Sequence, residues 1–193
     1  MELGPYTQLC FVSPDLDRSM ARWGRAGAGP FYVGDSTSLP PGRIYRGAPA
    51  TDPFRAAIAF LGTTQIEIVQ PLDDQPSFYR EVMNRFPGHQ GPGHQGEEVL
   101  HHVQPSVRPM PKERFDAECA ALERDGFVCV ATLTAPGGGT VRYYEEPGAQ
   151  LGFFIEMSHK TEEAFALMDK MFRQHQAWDG ADPVRAMHRL AQE

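Results

Sequence analysis

Two segments of this sequence place a side chain that can bind a metal ion among apolar neighbours. One is residues 98–104, which contain His102, and the other is residues 152–157, which contain Glu156. Histidine and carboxylate side chains are common ligands of divalent metals in proteins. Two strands that direct such side chains into one hollow supply half of a metal site. We expect the first half of the chain to supply the other half.

Strand alternation predicts which neighbours share a face with each candidate ligand, because residues i and i+2 of a strand point to the same side. Leu100 is expected to point to the same side as His102, whereas His101 is expected to point to the opposite side. Phe154 is expected to share a face with Glu156. Leu100 and Phe154 are therefore predicted to form apolar walls of a pocket.

Corresponding candidates lie in the first half of the chain. Gln8 lies in the strand-like residues 6–13, and Glu67 is the charged residue in the β-branched run at 64–70. In each half, one candidate ligand lies on the first predicted strand and the other on the last. This arrangement indicates an internal repeat of secondary structure rather than of sequence.

The repeat extends to the order of the predicted elements, which in both halves is strand, helix, then three or more strands. It predicts an N-terminal module at 1–86, a linker at 87–97, a C-terminal module at 98–158 and a helical tail at 159–193. The strands are predicted at 6–13, 31–33, 43–48, 54–61, 64–70, 98–104, 127–134, 140–145 and 152–157, and the helices at 16–24, 77–86, 112–124, 161–176 and 182–191.

The linker and the tail have distinct patterns. The linker is rich in Pro and Gly and contains GHQG twice, a composition that fits neither a helix nor a strand. Its histidines are interpreted as solvated loop residues rather than metal ligands. In the tail, Phe165, Met168 and Phe172 form an apolar stripe that is expected to cover the sheet or a subunit interface.

Composition limits the function classes. The formal net charge of −7 argues against binding to nucleic acid or to an acidic membrane surface. No apolar run approaches the roughly 20 residues that span a bilayer, and residues 1–5 lack the features of a signal peptide. The three cysteines are odd in number and form no CxxC motif, which predicts free thiols and a cytoplasmic location.

Four strips carry a resemblance to a known family: QLCFVSPDLDRSMARW (8–23), AIAFLGTTQIEIVQP (57–71), EVLHHVQ (98–104) and LGFFIEM (151–157). In this order they resemble the vicinal-oxygen-chelate superfamily, also called the glyoxalase/bleomycin-resistance/dioxygenase superfamily. The chain looks most similar to the branch near glyoxalase-like proteins and methylmalonyl-CoA epimerase. The resemblance implies an α+β fold of two tandem βαβββ modules. Their mixed sheet would curl into a cup with a divalent metal at its base.

The resemblance also implies four metal ligands, which fall on Gln8, Glu67, His102 and Glu156. Many members of the family have histidine where this chain has Gln8. A glutamine carbonyl is a weaker and harder ligand than imidazole and favours Mg, Mn or Ca over Zn. The expected cofactor is one divalent ion, with Mg, Mn, Co, Ni, Zn and Fe left open. His101 would replace His102 as a ligand only if the strand register were flipped.

The implied activity is that of a lyase, isomerase or epimerase that stabilises the enolate formed when an α-proton leaves a small oxygenated substrate. Glu156 and Glu67 are the candidates for moving that proton. Arg142 and Tyr144 share a face of their strand and are either substrate contacts or a solvated arginine and a core tyrosine. Two alternatives remain: a metal-free protein that sequesters a hydrophobic or aromatic compound, and an iron-dependent extradiol dioxygenase. The resemblance further implies a homodimer.

Overall fold

The computed structural model describes residues 4–85, 98–135 and 138–192. The predicted linker at 87–97, with its two histidines, lies outside the described residues. The strands are β1 (Tyr6–Val12), β2 (Phe31–Asp35), β3 (Ile44–Tyr45), β4 (Ala48–Pro49), β5 (Phe54–Leu61), β6 (Thr64–Pro71), β7 (Val99–Val107), β8 (Val128–Thr134), β9 (Thr140–Glu145), β10 (Phe154–Ser158) and β11 (Val184–Ala186). The helices are α1 (Leu16–Arg25), α2 (Phe78–Arg85), α3 (Lys112–Arg124), α4 (Glu162–Gln176) and α5 (Met187–Gln192).

Among the described residues, one mixed sheet of 11 strands joins the two halves in the order β11-β2-β5-β6-β1-β7-β10-β9-β8-β3-β4. The first strands of the halves, β1 and β7, pair antiparallel at its centre. On either side of this pair the order is mirrored, with β6, β5 and β2 beyond β1, and β10, β9 and β8 beyond β7. This is the predicted α+β fold of two βαβββ modules, and the predicted repeat is confirmed.

The inner face of the sheet, defined here as the face that carries Gln8, Cys10, Glu67, His102 and Glu156, is covered by α2 and by the C-terminal tail. The outer face carries α1 and α3. Side chains of strands near the two ends of the sheet, β5 and β8, line one cavity over the inner face. Residues from both halves of the sheet therefore line one cavity.

The outer helices follow from local sequence signals. The Asp15 carboxylate caps α1 by accepting a hydrogen bond of 2.9 Å from the backbone N–H of Arg18. Leu16 and Met20 of α1 are buried in an outer-face core cluster. Phe115 of α3 is fully buried in a second outer cluster. Apolar residues at helical spacing thus fix each helix against its own half of the sheet.

The predicted strand at 43–48 is corrected to two short strands, β3 and β4. Arg46 and Gly47 have φ angles of 45° and 80°, and the left-handed turn that they form separates β3 from β4. β3 precedes β5 in the chain but pairs with β8, at the opposite end of the sheet. Residues 36–53 therefore cross from one half of the protein to the other.

The tail contains a strand that the sequence did not predict. β11 pairs in parallel with β2, so the predicted helix at 182–191 is corrected to β11 followed by the shorter α5. α4 lies on the inner face, where Met171 is fully buried in a cluster with Tyr6 and Phe60. The tail therefore covers the sheet, as its apolar stripe predicts. Within the described ranges, no helix is both long and apolar enough to cross a membrane.

Candidate metal centre

The four predicted ligands converge at the centre of the inner face, from the neighbouring strands β6, β1, β7 and β10. The Gln8 side-chain Nε2 donates a hydrogen bond of 2.9 Å to Glu67 Oε2. His102 Nε2 lies 3.4 Å from Glu67 Oε2 and 3.0 Å from Glu156 Oε2. Gln8, His102 and Glu156 are almost fully buried, and the Glu67 side chain is 18% exposed. Residues from both halves of the chain therefore form one cluster.

A β-bulge in β7 places His101 beside His102. Cys10 pairs with His102, but the next residue, Phe11, pairs with Leu100, so His101 is the extra residue of β7. The two imidazole rings meet with their Nδ1 atoms 2.8 Å apart. The expectation that His101 points away from His102 is therefore wrong. Simple strand alternation fails at this position.

The hydrogen bonds of His101 determine which nitrogen of each ring carries a proton. His101 Nε2 lies 3.3 Å from the backbone carbonyl oxygen of Phe78, which can only accept, so this nitrogen is assigned the hydrogen. Burial and the neighbouring His102 lower the pKa of His101 well below its usual value, so the ring is neutral. His101 Nδ1 then accepts a hydrogen bond from His102 Nδ1, which leaves His102 Nε2 facing the two carboxylates.

His102 Nε2 is buried and has no hydrogen-bond partner of acceptable geometry among the described residues. A lone pair that faces two carboxylates is repelled by them unless a cation lies between them. That cation is either a proton on Nε2 or a metal ion. Burial by itself lowers the pKa of His102, but the contacts with Cys10, Glu156 and Glu67 outweigh it and raise the pKa well above its usual value. Two carboxylates, one imidazole and the Gln8 amide fit a divalent ion.

Glu156 is held as a carboxylate despite its burial. Burial raises its pKa, but the His102 imidazole 3.0 Å away and the nearby Lys160 and Tyr143 favour the charged form, and the net pKa is lowered. Burial and the nearby Glu156 raise the pKa of Tyr143 well above its usual value, so its hydroxyl remains a donor. Tyr143 is a residue of the site that was not among the predicted site residues. The available signal was its position on β9, the strand that pairs with β10.

A cavity of about 350 Å³ lies over the cluster. Glu67, Glu156, Gln8 and Tyr143 line it beside the cluster, and its further polar lining residues are Asp35, Gln65, Tyr79 and Lys160. Most of the remaining wall is apolar and comes from both modules and from the tail, with Leu39, Phe54, Ala56, Ile58, Leu133, Ala135, Val141, Ala164, Leu167, Met168, Met187 and Leu190 among its residues. Such a volume suits a small organic molecule.

The structure places the predicted pocket residues of the C-terminal half away from the cavity. Leu100 pairs with Phe11 and shares its outer face, because the bulge shifts the alternation of β7. Phe154 is buried behind His101, with ring centroids 5.4 Å apart, and does not line the cavity. Both placements correct the prediction that these residues form the pocket walls.

Arg142 and Tyr144 share a face of β9, as predicted, but it is the outer face. The Arg142 guanidinium lies 5.2 Å from the ring centroid of Phe115. The Tyr144 hydroxyl donates a hydrogen bond of 3.0 Å to Glu123 of α3. These contacts correct the prediction that the two side chains reach the substrate. They support the alternative of a core tyrosine, whereas Arg142 packs on Phe115 and is only partly solvated.

A second group of metal-competent atoms adjoins the first. Cys10, His101 and His102 each offer one ligand atom, and these atoms lie within 4.8 Å of one another. Burial raises the pKa of Cys10 to about 12, so its sulfur is a protonated thiol beside the two imidazoles. Because the two histidines bond to each other through Nδ1, this group supports the orientation of His102.

The two mirrored βαβββ units and the polar cluster where they meet define the class of protein. A family model described as the Glyoxalase/Bleomycin resistance protein/Dioxygenase superfamily matches residues 7–144. The chain belongs to this superfamily. No curated protein matches its sequence. The predicted family is therefore confirmed, and the match ends before β10 and the tail.

The chain is similar to solved structures at low sequence identity. Methylmalonyl-CoA epimerase from Mycobacterium tuberculosis is 16% identical, with a TM-score of 0.50 over 82% of this chain and 89% of the epimerase chain. A hypothetical protein from Bacillus halodurans C-125 is also 16% identical, with a TM-score of 0.47 over 83% of this chain and 95% of that chain. At such identity the similarity to the epimerase is evidence for the fold alone.

Proposed function

We propose that this protein is a divalent-metal-dependent lyase, isomerase or epimerase that moves a proton next to a carbonyl group of a small oxygenated substrate. The observation that carries the proposal is the buried His102 Nε2, which faces Glu67 and Glu156 without a hydrogen-bond partner among the described residues. The superfamily match supports the same reaction class, because the superfamily includes such enzymes.

The side chains of the site have different proposed roles in metal binding and proton transfer. Gln8, Glu67, His102 and Glu156 would hold the ion, which when bound supplies positive charge to stabilise an enolate oxygen. Glu156 is buried beside His102 and Tyr143, whereas Glu67 is more exposed and receives a hydrogen bond from Gln8. We therefore assign the proton transfer first to Glu67 and second to Glu156. The apolar cavity walls exclude water from the reacting atoms.

The donor set favours some reactions over others. Its oxygen-rich character favours Mg or Mn, with Co, Ni, Zn and Fe as further candidates. Two carboxylates and one histidine depart from the pattern of two histidines and one carboxylate that non-haem iron oxygenases use. Enolate chemistry is therefore favoured over extradiol dioxygenase chemistry.

Metal analysis of the purified protein tests the proposal. We expect about one equivalent of divalent metal in the wild type, or saturable binding when Mn²⁺ is titrated into chelated protein. His102→Ala should abolish it, and the matched control His188→Ala, at an exposed position of α5, should retain it. Equal metal binding by the wild type and His102→Ala would contradict the assignment, and so would no binding by the folded wild type.

A metal-free sequestration protein is the second candidate, and one observation favours it. A proton on His102 Nε2 would place a positive charge beside both carboxylates, and the cavity above them is mostly apolar. This candidate predicts that chelated and Mn²⁺-loaded protein bind a neutral aromatic probe, 1-naphthol, with equal affinity. Binding that requires Mn²⁺ would instead support the enzyme.

The superfamily resemblance also motivates the proposal of a homodimer in the cytoplasm. All three cysteines are free thiols, which suits a reducing compartment. Light scattering coupled to size-exclusion chromatography would measure the oligomeric state, and a mass of one chain would refute the dimer.

A further inference from the structure

The C-terminal tail supplies one wall of the cavity. Lys160, Ala164, Leu167, Met168 and Leu190 all line it, and all lie beyond residue 144, where the family match ends. This wall is therefore a feature of this chain that the superfamily match does not cover. It lies over the same inner face as the candidate metal centre.

The tail is fixed to the body of the protein. The Tyr6 hydroxyl donates a hydrogen bond of 2.9 Å to Asp169, and His175 Nδ1 lies 2.6 Å from the carbonyl oxygen of Gly29. Lys170 Nζ donates a hydrogen bond of 2.8 Å to the carbonyl oxygen of Leu190, and β11 pairs with β2. Contacts at several places along the tail hold its side chains in position. The wall is thus preformed.

Lys160 gives this wall a positive charge. Among the described residues that line the cavity, it is the only cation, and its ammonium makes no hydrogen bond or ion pair within the described segments. Its charge acts on Glu156, where it favours the carboxylate. A half-buried ammonium beside apolar side chains is better stabilised by an anion that shares the cavity.

We propose that Lys160 and the apolar residues of the tail form a subsite for a substrate with an anionic group on an apolar body. The anionic group is a carboxylate or a phosphate, since an ammonium binds both. Ala164, Leu167, Met168 and Leu190 contact the apolar body. The inference names the substrate class of the proposed enzyme and rests on that function for its catalytic meaning.

The charges of the cluster are consistent with an anion at Lys160. Glu67 and Glu156 share the cation that lies between them and His102 Nε2, whether a metal ion or a proton. Asp35, the other acidic lining residue, accepts hydrogen bonds from the backbone N–H and the hydroxyl of Thr37. Lys160 thus interacts with Glu156 through space but forms no close salt bridge among the described residues, so its ammonium can bind an anionic group of the substrate.

Calorimetric titration with three matched probes tests the subsite: hexanoate, hexylphosphonate and the neutral hexanamide. Each is titrated into Mn²⁺-loaded and into chelated protein. We expect the wild type to bind at least one anion about tenfold more tightly than hexanamide, the size of effect that a hydrogen bond to a charged group gives. A preference for hexanoate or for hexylphosphonate identifies the anionic group as a carboxylate or a phosphate.

Three variants locate the binding of the anion. Lys160→Met should abolish the preference for the anion and leave hexanamide binding unchanged, and Lys160→Arg should restore the preference. Lys112→Met, which removes an exposed lysine of α3, should behave as the wild type. If Lys160→Met retains the preference, the anion binds elsewhere and the proposal is overturned. It is also overturned if the wild type binds none of the probes.

The two metal states separate this inference from the proposed function. A Lys160-dependent preference in chelated protein that binds no Mn²⁺ would support the subsite and overturn the metal-dependent enzyme. Mn²⁺ binding without any effect of Lys160→Met would support the metal centre and overturn the subsite.

Discussion

Replacement of His101 by phenylalanine isolates the role of the His101–His102 contact. Phenylalanine retains a planar ring in a pocket where His101 packs at 4.3 Å from Phe78 and 5.4 Å from Phe154, measured between ring centroids. It removes the acceptor that faces His102 Nδ1 at 2.8 Å. The side chain of His102 remains, but nothing then fixes which of its nitrogens carries the hydrogen.

Two general magnitudes give the same expected loss of Mn²⁺ affinity for His101→Phe. Loss of a hydrogen-bond partner behind a metal-binding histidine typically lowers metal affinity by about 10- to 100-fold. That range corresponds to about 1.4–2.7 kcal/mol, which matches the roughly 1–3 kcal/mol cost of a buried donor left without an acceptor. We therefore expect His101→Phe to bind Mn²⁺ about 10- to 100-fold more weakly, whereas His102→Ala should bind none.

Competition with a chromophoric chelator measures the Mn²⁺ affinity, and thermal unfolding of chelated protein measures stability separately. His175→Phe is the matched control, because His175 also bonds to a backbone carbonyl, that of Gly29, and lies beside the ring of Phe60. Both variants should lower stability, but only His101→Phe should lower Mn²⁺ affinity. A Mn²⁺ affinity of His101→Phe within about threefold of the wild type, well below the expected loss, would refute the reasoning.

Three further predictions test the fold and the cavity. Tyr144→Phe removes the hydrogen bond to Glu123 on the outer face and should cost about 1 kcal/mol in chemical unfolding, with unchanged metal content. Gly139→Ala should lower the free energy of unfolding by more than about 1 kcal/mol, because Gly139 has a φ of 98° and an added Cβ would overlap the carbonyl oxygen of His159. Ala164→Leu should weaken calorimetric binding of hexanoate more than that of butyrate, because it adds volume inside the cavity wall; equal losses would contradict that placement.

Most of the fold could be predicted because the spacing of apolar residues along the chain shows which side of each strand or helix is buried. The bounds of β5, β9 and α3 agree with the sequence pattern, and the mirrored order of the sheet follows from the repeat. The exceptions are elements that depend on distant partners. β11 has three residues and no pattern of its own, and it exists because it pairs with β2. The crossing of residues 36–53 to β8 is equally non-local.

The candidate site was partly predictable because strand alternation assigns side chains to the two faces of the sheet. Gln8, Glu67 and Glu156 lie on regular strands, where alternation assigns their faces correctly. On β9 alternation predicts that Arg142 and Tyr144 share a face but not which face points inward. Tyr143 and Tyr144 are both buried, at 6% and 0% exposure, because the inner face holds the cluster and the outer face packs against α3. Because both faces of β9 are buried, the sequence has no polar face that would show which side of the strand points toward solvent.

The bulge in β7 explains why His101 lies beside His102 at the centre of the site, although alternation predicts that it points to the opposite face. A regular strand would direct only one of two consecutive histidines inward, and the other would lie among the apolar residues under α1. The extra residue turns both rings to the inner face, where His101 bonds to the Phe78 carbonyl and to His102. Removal of the bulge would separate the two rings without changing either residue. The geometry that presents His102 Nε2 to Glu67 and Glu156 therefore resides in the backbone of β7, and no pattern of residue types encodes it.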